Sequence, residues 1–235
     1  MSQLTQPINN SVGKPTKTNK LTWPDFVQKV LQVTISAYQA MAQDKIAQLS
    51  WEEDTFTICL GEDYIRPFVF DNNLPIRVII RPKVHTDEMK KGLQSAKQAK
   101  EIDLQLFDIL ERDHHRKHFV WEAKRVGDKR INQAYSPLNS EYVNEAIYRF
   151  IKKDYADGLK DAGLLAYVLA GKPNTIVTDI NKTMGNLRRN KPLSSSNHLH
   201  QTKPINHFKN TYQSQHTRID DSTIQLHHLF FNFAY

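Results

Sequence analysis

Cysteine is almost absent from this chain of 235 residues, where Cys59 stands alone. An intrachain disulfide and a cysteine-cluster zinc site are excluded, and a reducing compartment suits such a composition. The role expected of Cys59 is that of a small buried thiol. Long apolar runs are missing too. Nothing approaches the roughly 18 consecutive apolar residues of a membrane span, so no membrane association is expected. The stretch MSQLTQPINNSVGKPTKTNK (1–20) lacks the apolar centre of a secretory signal. It reads as a disordered polar tail, and the expected location is cytoplasmic. Neither a Gly-x-x-x-x-Gly-Lys-Ser/Thr phosphate loop nor a Gly-x-Ser-x-Gly elbow occurs, which argues against ATP hydrolysis and serine-hydrolase chemistry.

Acidic residues are missing from one long stretch. None lies between Asp179 and Asp220, whereas Lys182, Arg188, Arg189, Lys191, Lys203, Lys209 and Arg218 do, with His198, His200, His207 and His216. Within it, a basic flexible insertion is expected at about 182–204. Its charge fits either a solvated loop or an arm contacting phosphates, whose affinity would fall steeply with salt. The formal charge of the chain is +7, compatible with a polyanionic partner. With 39% hydrophobic and 24% charged residues, residues 21–235 read as a single globular domain with its own core.

Apolar spacing orders the elements. Phe26, Val30, Val33, Ala37, Ala40 and Met41 recur at helical intervals across 21–49, with Thr22 and Pro24 as the start signal. A second helix is expected over about 50–70, with Ser50 as N-cap and Glu53 closing a capping box; Gly61 and Pro67 threaten to break it. LPIRVIIRPKV (74–84) is a strand rich in β-branched residues. EIDLQLFDIL (101–110) alternates, with Ile102, Leu104 and Leu106 on one face and Asp103, Gln105 and Phe107 on the other. With FVWEAKRV (119–126) it forms a hairpin across a charged tip. Tyr142, Val143, Ala146, Ile147, Phe150, Ile151 and Tyr155 trace a helical stripe stopped by Gly158, with Glu145 and Arg149 as an outward pair. GLLAYVLAG (163–171) reads as a buried parallel strand, NTIVTDINKTMGNL as another helix, 190–204 as loop, and TIQLHHLFFNFAY as a final strand.

Within FVWEAKRV, Glu122 and Lys124 are two apart, so in a strand they share a face. Asp103 on the neighbouring strand brings a second carboxylate toward them. A cross-strand ion pair is the plain reading. Apolar Val120 and Val126 sharpen the matter, because a buried carboxylate needs a partner or a metal. Two adjacent carboxylates suit Mg²⁺ or Mn²⁺. A lysine beside such an ion would orient or deprotonate an attacking water and offset charge growing on a phosphate.

Asp103 followed by WEAKR, then a helix and a buried strand, resembles the catalytic core of the PD-(D/E)xK nuclease superfamily, over about residues 45–172. The resemblance implies an α/β fold, a restriction-endonuclease-like αβββαβ core with a mixed central sheet flanked by helices. It implies a Mg²⁺- or Mn²⁺-dependent endonuclease acting on DNA in a bacterial or phage-defence setting. Asp103, Glu122 and the Ala123 carbonyl would hold the metal and Lys124 would act on the water. A Glu from the first core helix, Glu53 or Glu52, would join them. No proline precedes Asp103, where Ile102 stands, and Glu101 is an alternative first ligand. The helix face with Arg149, Lys152 and Lys153 would border nucleic acid, and Arg188, Arg189 and Arg218 are further candidate phosphate contacts. A homo-oligomer or a partner protein is expected. RNA as substrate, or a non-catalytic nucleic-acid-binding or assembly module, are the alternatives. His114, His115 and His118 sit in a cationic turn unsuited to zinc, and the adjacent His227 and His228 would face opposite ways, with core or edge roles.

Overall fold

Helix α1 spans Trp23–Asp44 and starts where its chemistry dictates. The Thr22 side chain accepts from the Asp25 N–H, Pro24 lies in the first turn, and Lys45 ends the helix in a left-handed conformation. The computed structural model describes residues 21–84, 87–93, 95, 97, 99–111, 117–187 and 198–234. The tail, the hairpin tip carrying His114 and His115, and the pair Arg188 and Arg189 lie outside those residues. Of the expected stripe, Phe26, Val30, Val33, Ala37 and Met41 are buried, whereas Ala40 is exposed.

The second helical segment differs from expectation at its start. Helix α2 is Glu53–Cys59, and its N-cap is Glu52, not Ser50. Glu53 is thereby released from a capping box. Neither Gly61 nor Pro67 breaks the rod, which continues through a π-helical turn, Leu60–Ile65, into α3, Arg66–Asp71. Gly61 has a packing reason instead, since a Cβ there would lie 2.7 Å from Ile80 Cδ1.

The strand expected over 74–84 is two strands. β1 is Ile76–Ile80 and β2 is Lys83–Val84, parted at Arg81, whose positive φ of 53° and following proline turn the chain. After the short helix α4 (Asp87–Lys90), β3 (Lys100–Glu101) pairs with β2 in a separate ribbon. The hairpin forms from β4, Leu104–Asp108, and β5, His118–Gly127, in antiparallel register from Leu104↔Trp121 to Phe107↔His118. Asp103 lies in a bend just before β4. That bend breaks the expected alternation. Ile102 packs in one apolar layer and Leu104 and Leu106 in the other.

The next helical rod runs from α5 (Tyr135–Glu141) through a π-helical turn, Tyr142–Ile147, to α6 (Tyr148–Ile151). It stops well before Gly158, with Lys153 and Ala156 at positive φ. Past that end the Arg218 guanidinium donates to the carbonyls of Phe150, Ala156 and Leu159, tying the last turn of the rod to the turns that follow it. β6, Asp161–Ala170, runs parallel to both β5 and the last strand β9, Thr223–Asn232. Between them come α7 (Pro173–Leu187), β7 (His200–Gln201) and β8 (Thr211–Thr217).

Of the stretch 182–204, residues 188–197 lie outside the described residues, and the two ends are ordered into elements. Its start finishes α7, and Asn181 exchanges hydrogen bonds with the Leu199 backbone just before β7. One seven-stranded mixed sheet results, in the order β1-β4-β5-β6-β9-β8-β7. Helices flank both faces. α1 to α3 cover Leu104, Phe119, Trp121, Tyr167 and Phe231, while the π-helical turn Tyr142–Ile147, α6 and α7 cover Val120, Leu164, Ala166 and Phe230. β6 is buried on both faces, hence its unbroken apolar run. No helix among the described residues is long and apolar enough to cross a membrane.

Two features of this core generate tests. Gly163 pairs with Trp121, and a Cβ on it would lie 2.1 Å from the indole. Gly163→Ala should cost about 1–3 kcal/mol through overpacking, read as a lowered urea midpoint. A buried chain also links Tyr142 to His228 Nδ1 (2.8 Å), His228 Nε2 to Ser214 (2.8 Å) and Ser214 to His216 Nε2 (2.7 Å). Burial holds His216 down to about 4 and His228 well below the usual histidine range. Both are neutral when folded, and the unfolded chain takes up more protons between about pH 6.5 and 4. Stability contributed by neutral burial is therefore complete above pH 6.5 and lost as pH falls toward 4. A melting temperature that declines across that window, less steeply in His216→Gln, is the expected outcome.

Candidate functional site

β4 begins at Leu104, opposite Trp121, whereas β5 continues to Gly127. Beyond Trp121, β5 has β6 on one side and no strand on the other. Two carboxylates take the place of the missing strand. Asp103 Oδ2 accepts from the Ala123 N–H at 2.6 Å and Glu53 Oε2 from the Arg125 N–H at 3.3 Å. In an extended strand the N–H and C=O of one residue point the same way, so the Ala123 carbonyl opens onto this edge as well.

The alternation of β5 puts Glu122 and Lys124 side by side, as their spacing requires. Lys124 Nζ lies 2.5 Å from Glu53 Oε1 and 3.6 Å from Glu122 Oε1. From α6, Arg149 donates to Glu122 Oε1 at 3.2 Å, to the Tyr155 hydroxyl at 3.0 Å and to Glu145 at 3.2 Å. Tyr155 in turn donates to the Glu101 carbonyl. Three carboxylates thus face two cations. Glu122 is 2% exposed, and its Oε2 is buried without a hydrogen-bond donor. The Glu122 carboxyl also lies within hydrogen-bonding reach of Asp103.

Electrostatics follows from this crowding. Burial pushes the Glu122 carboxyl well above the usual range and Asp103 adds repulsion, against the pull of Lys124 and Arg149. Burial likewise raises Asp103, against the Ala123 N–H and Lys124, and raises Glu53, against Lys124. Burial pulls the Lys124 ammonium down, but Glu53 and Glu122 outweigh it and the net shift is upward. Lys124 is therefore charged at neutral pH.

The fit to a divalent cation has two sides. Among the described residues, no group of three or more His, Cys, Asp or Glu side chains is drawn together as a ready-made cage, since the carboxylates lie against Lys124 and Arg149. The donors within reach are nonetheless all hard oxygens, from Asp103, Glu122, Glu53 and the Ala123 carbonyl, a set that suits Mg²⁺ or Mn²⁺. The orphaned Glu122 oxygen and the raised carboxyls mark a deficit of positive charge, which such an ion would relieve. In kind the donors suit the ion, though among the described residues they are not drawn together around one point.

Among the other sequence candidates, Glu53 joins the site, while Glu52 lies outside it on Arg125. Glu101 pairs with Arg81 at the surface and does not join. Arg149 belongs to the carboxylate cluster rather than to an outer face. Lys152 is exposed, its ammonium 4.9 Å above the Tyr148 ring, and Lys153 pairs with Asp157 and Asp220. Arg218 is a correction. It is 4% exposed, and its donors are committed to backbone carbonyls, so it offers nothing to a phosphate. His227 bonds Asp161 and His228 bonds Tyr142, on opposite faces of β9. Cys59 is buried, and burial, with Asp63 nearby, pushes its thiol to about 11. The link from Arg149 to Glu122 and the anchor at Tyr155 had no signal in the spacing, because they join elements far apart in the chain.

No family model, curated protein or solved structure matches the chain. Removing Lys124 tests the electrostatic account directly. Lys124→Met leaves Glu53 and Glu122 buried beside Asp103 without their shared ammonium, and losing one partner of a buried pair costs about 3–5 kcal/mol. Carboxyls raised in the folded state stabilise fully below their unfolded value near 4.3, and that stability fades as pH rises. The loss measured by denaturant unfolding should accordingly be larger at pH 8 than at pH 5.

Proposed function

We propose that this chain is a Mg²⁺- or Mn²⁺-dependent endonuclease that hydrolyses phosphodiester bonds of DNA, on a restriction-endonuclease-like αβββαβ core. The observation that carries the reading is the open edge of β5. There Asp103, Glu53, Glu122, Lys124 and the Ala123 carbonyl meet, with one buried carboxylate oxygen unsatisfied. The order α2–α3, β1, β4, β5, α5–α6, β6, with β5 and β6 parallel, supports the fold assignment. DNA rather than RNA, a restriction-like or phage-defence setting, and action as a homo-oligomer or with a partner protein rest on the resemblance to PD-(D/E)xK nucleases.

Asp103, Glu122 and the Ala123 carbonyl, with Glu53, would hold the ion. A bound Mg²⁺ or Mn²⁺ supplies an activated water and polarises phosphoryl oxygens. The chain's own groups do the rest. Lys124, held by Glu53 and Glu122, is an ammonium and so donates rather than abstracts; its work is to orient the water and oppose the negative charge developing on phosphorus. In-line attack forms a new P–O bond to the water oxygen and breaks the bond to the leaving sugar oxygen. The water gives up a proton and the leaving oxygen gains one.

The closed set of ion pairs favours a second reading, a nucleic-acid-binding or assembly module in which Glu53, Lys124, Glu122 and Arg149 only brace the sheet against the helices. One assay separates the two. Purified wild type, Glu122→Gln and Lys124→Ala are incubated with duplex DNA, single-stranded DNA and RNA in Mg²⁺, Mn²⁺ or EDTA. Metal-dependent cleavage of DNA by wild type, reduced by about 100-fold or more in both variants, is expected. Cleavage unchanged in the variants would remove Glu122 and Lys124 from the chemistry, and nucleic-acid binding with no cleavage in any metal would favour the second reading.

A further inference from the structure

We infer that Arg149 is a displaceable counter-ion, which occupies Glu122 Oε1 in the cation-free protein and yields it when a divalent cation binds. This rests on the metal-binding reading above and adds a device that sets how tightly the ion is held. The guanidinium comes from α6, on the opposite side of the site from Glu53 and α2. It has three acceptors, Glu122 Oε1 at 3.2 Å, the Tyr155 hydroxyl at 3.0 Å and Glu145 Oε2 at 3.2 Å. The Arg149 side chain is 34% exposed, against 13% for Lys124.

These differences decide which cation gives way. Lys124 is enclosed, and both of its carboxylate partners belong to the site. Arg149 stands at the rim, and losing Glu122 leaves it Tyr155 and Glu145. Tyr155 is itself pinned to the Glu101 carbonyl at 2.8 Å, so the released guanidinium keeps a fixed anchor. An ion on Glu122 competes with Arg149 for the same oxygen, and two positive groups a few ångströms apart repel in a partly buried setting. Arg149 consequently weakens cation binding, and once displaced it presents a planar, charged donor set suited to a phosphate. It is a positioning residue. Before the ion arrives it keeps Glu122 in place, where a buried carboxylate would otherwise face only Lys124 and the repulsion of Asp103.

The test is Mn²⁺ affinity at pH 8, read as free Mn²⁺ by electron paramagnetic resonance. The proteins compared are wild type, Arg149→Gln, Arg149→Lys and Glu122→Gln, each checked for folding by its melting temperature. Arg149→Gln is expected to bind Mn²⁺ about fivefold or more tightly than wild type, Arg149→Lys to restore weaker binding, and Glu122→Gln to lose it. A folding defect cannot imitate this result, because it would weaken binding. Wild-type binding with equal or weaker affinity in Arg149→Gln overturns the counter-ion role and leaves the metal site standing. No Mn²⁺ binding by wild type, or full binding by Glu122→Gln, overturns the metal site and this inference together.

Discussion

The candidate site depends on one mismatch of length. β4 ends its pairing with β5 at the Leu104↔Trp121 step, and β5 runs on with a single strand neighbour. Backbone N–H groups near a core must find acceptors. At Ala123 and Arg125 those acceptors are the carboxylates of Asp103 and Glu53. The arrangement brings acids from a bend and a helix to one strand edge, beside a glutamate and a lysine already there. Had β4 begun two residues earlier, the ladder would have taken the Ala123 N–H, and Asp103 would have been an ordinary strand residue.

Crowding that much charge has consequences for both stability and chemistry. Burial raises Glu122, Asp103 and Glu53 alike, opposed by Lys124 and Arg149 and by the N–H groups of Ala123 and Arg125. Buried ion pairs of this kind are a weak source of stability, since desolvation consumes much of the attraction. They sit at a strand edge with one Glu122 oxygen left without a donor, so the cluster does not balance its own charge and hydrogen bonding. Burial works against the Lys124 charge, and it is Glu53 and Glu122 beside it that keep the ammonium protonated.

Elsewhere, buried polar groups serve the fold. Arg218 ties the end of the α5–α6 rod to the turns before β6 by donating to the carbonyls of Phe150, Ala156 and Leu159. The Tyr142–His228–Ser214–His216 chain ties that rod to β8 and β9. His216 and His228 are enclosed in the far half of the sheet from the carboxylate cluster, and their neutrality reflects burial.

Much of the fold was legible because its elements carry strong local periodicity. The stripe of α1, the apolar run of β6 and the alternation of β5 each follow from side-chain geometry within one element. The strand face shared by Glu122 and Lys124 was legible for that reason. Other features turned on contacts across the chain. Ser50 lost the cap, the bend at Asp103 set Ile102 against Leu104, β8 escaped notice, and Arg218 went inside to meet a helix end. The sequence by itself determined the mixed α/β class, the two buried faces and the pairing of Glu122 with Lys124. Tertiary structure alone decided that Glu53 rather than Glu52 reaches them, that Arg149 turns inward, and that Asp103 binds the open edge. Spacing dictates which way a side chain leaves its own element, but which element stands opposite depends on how the whole sheet and its helices pack.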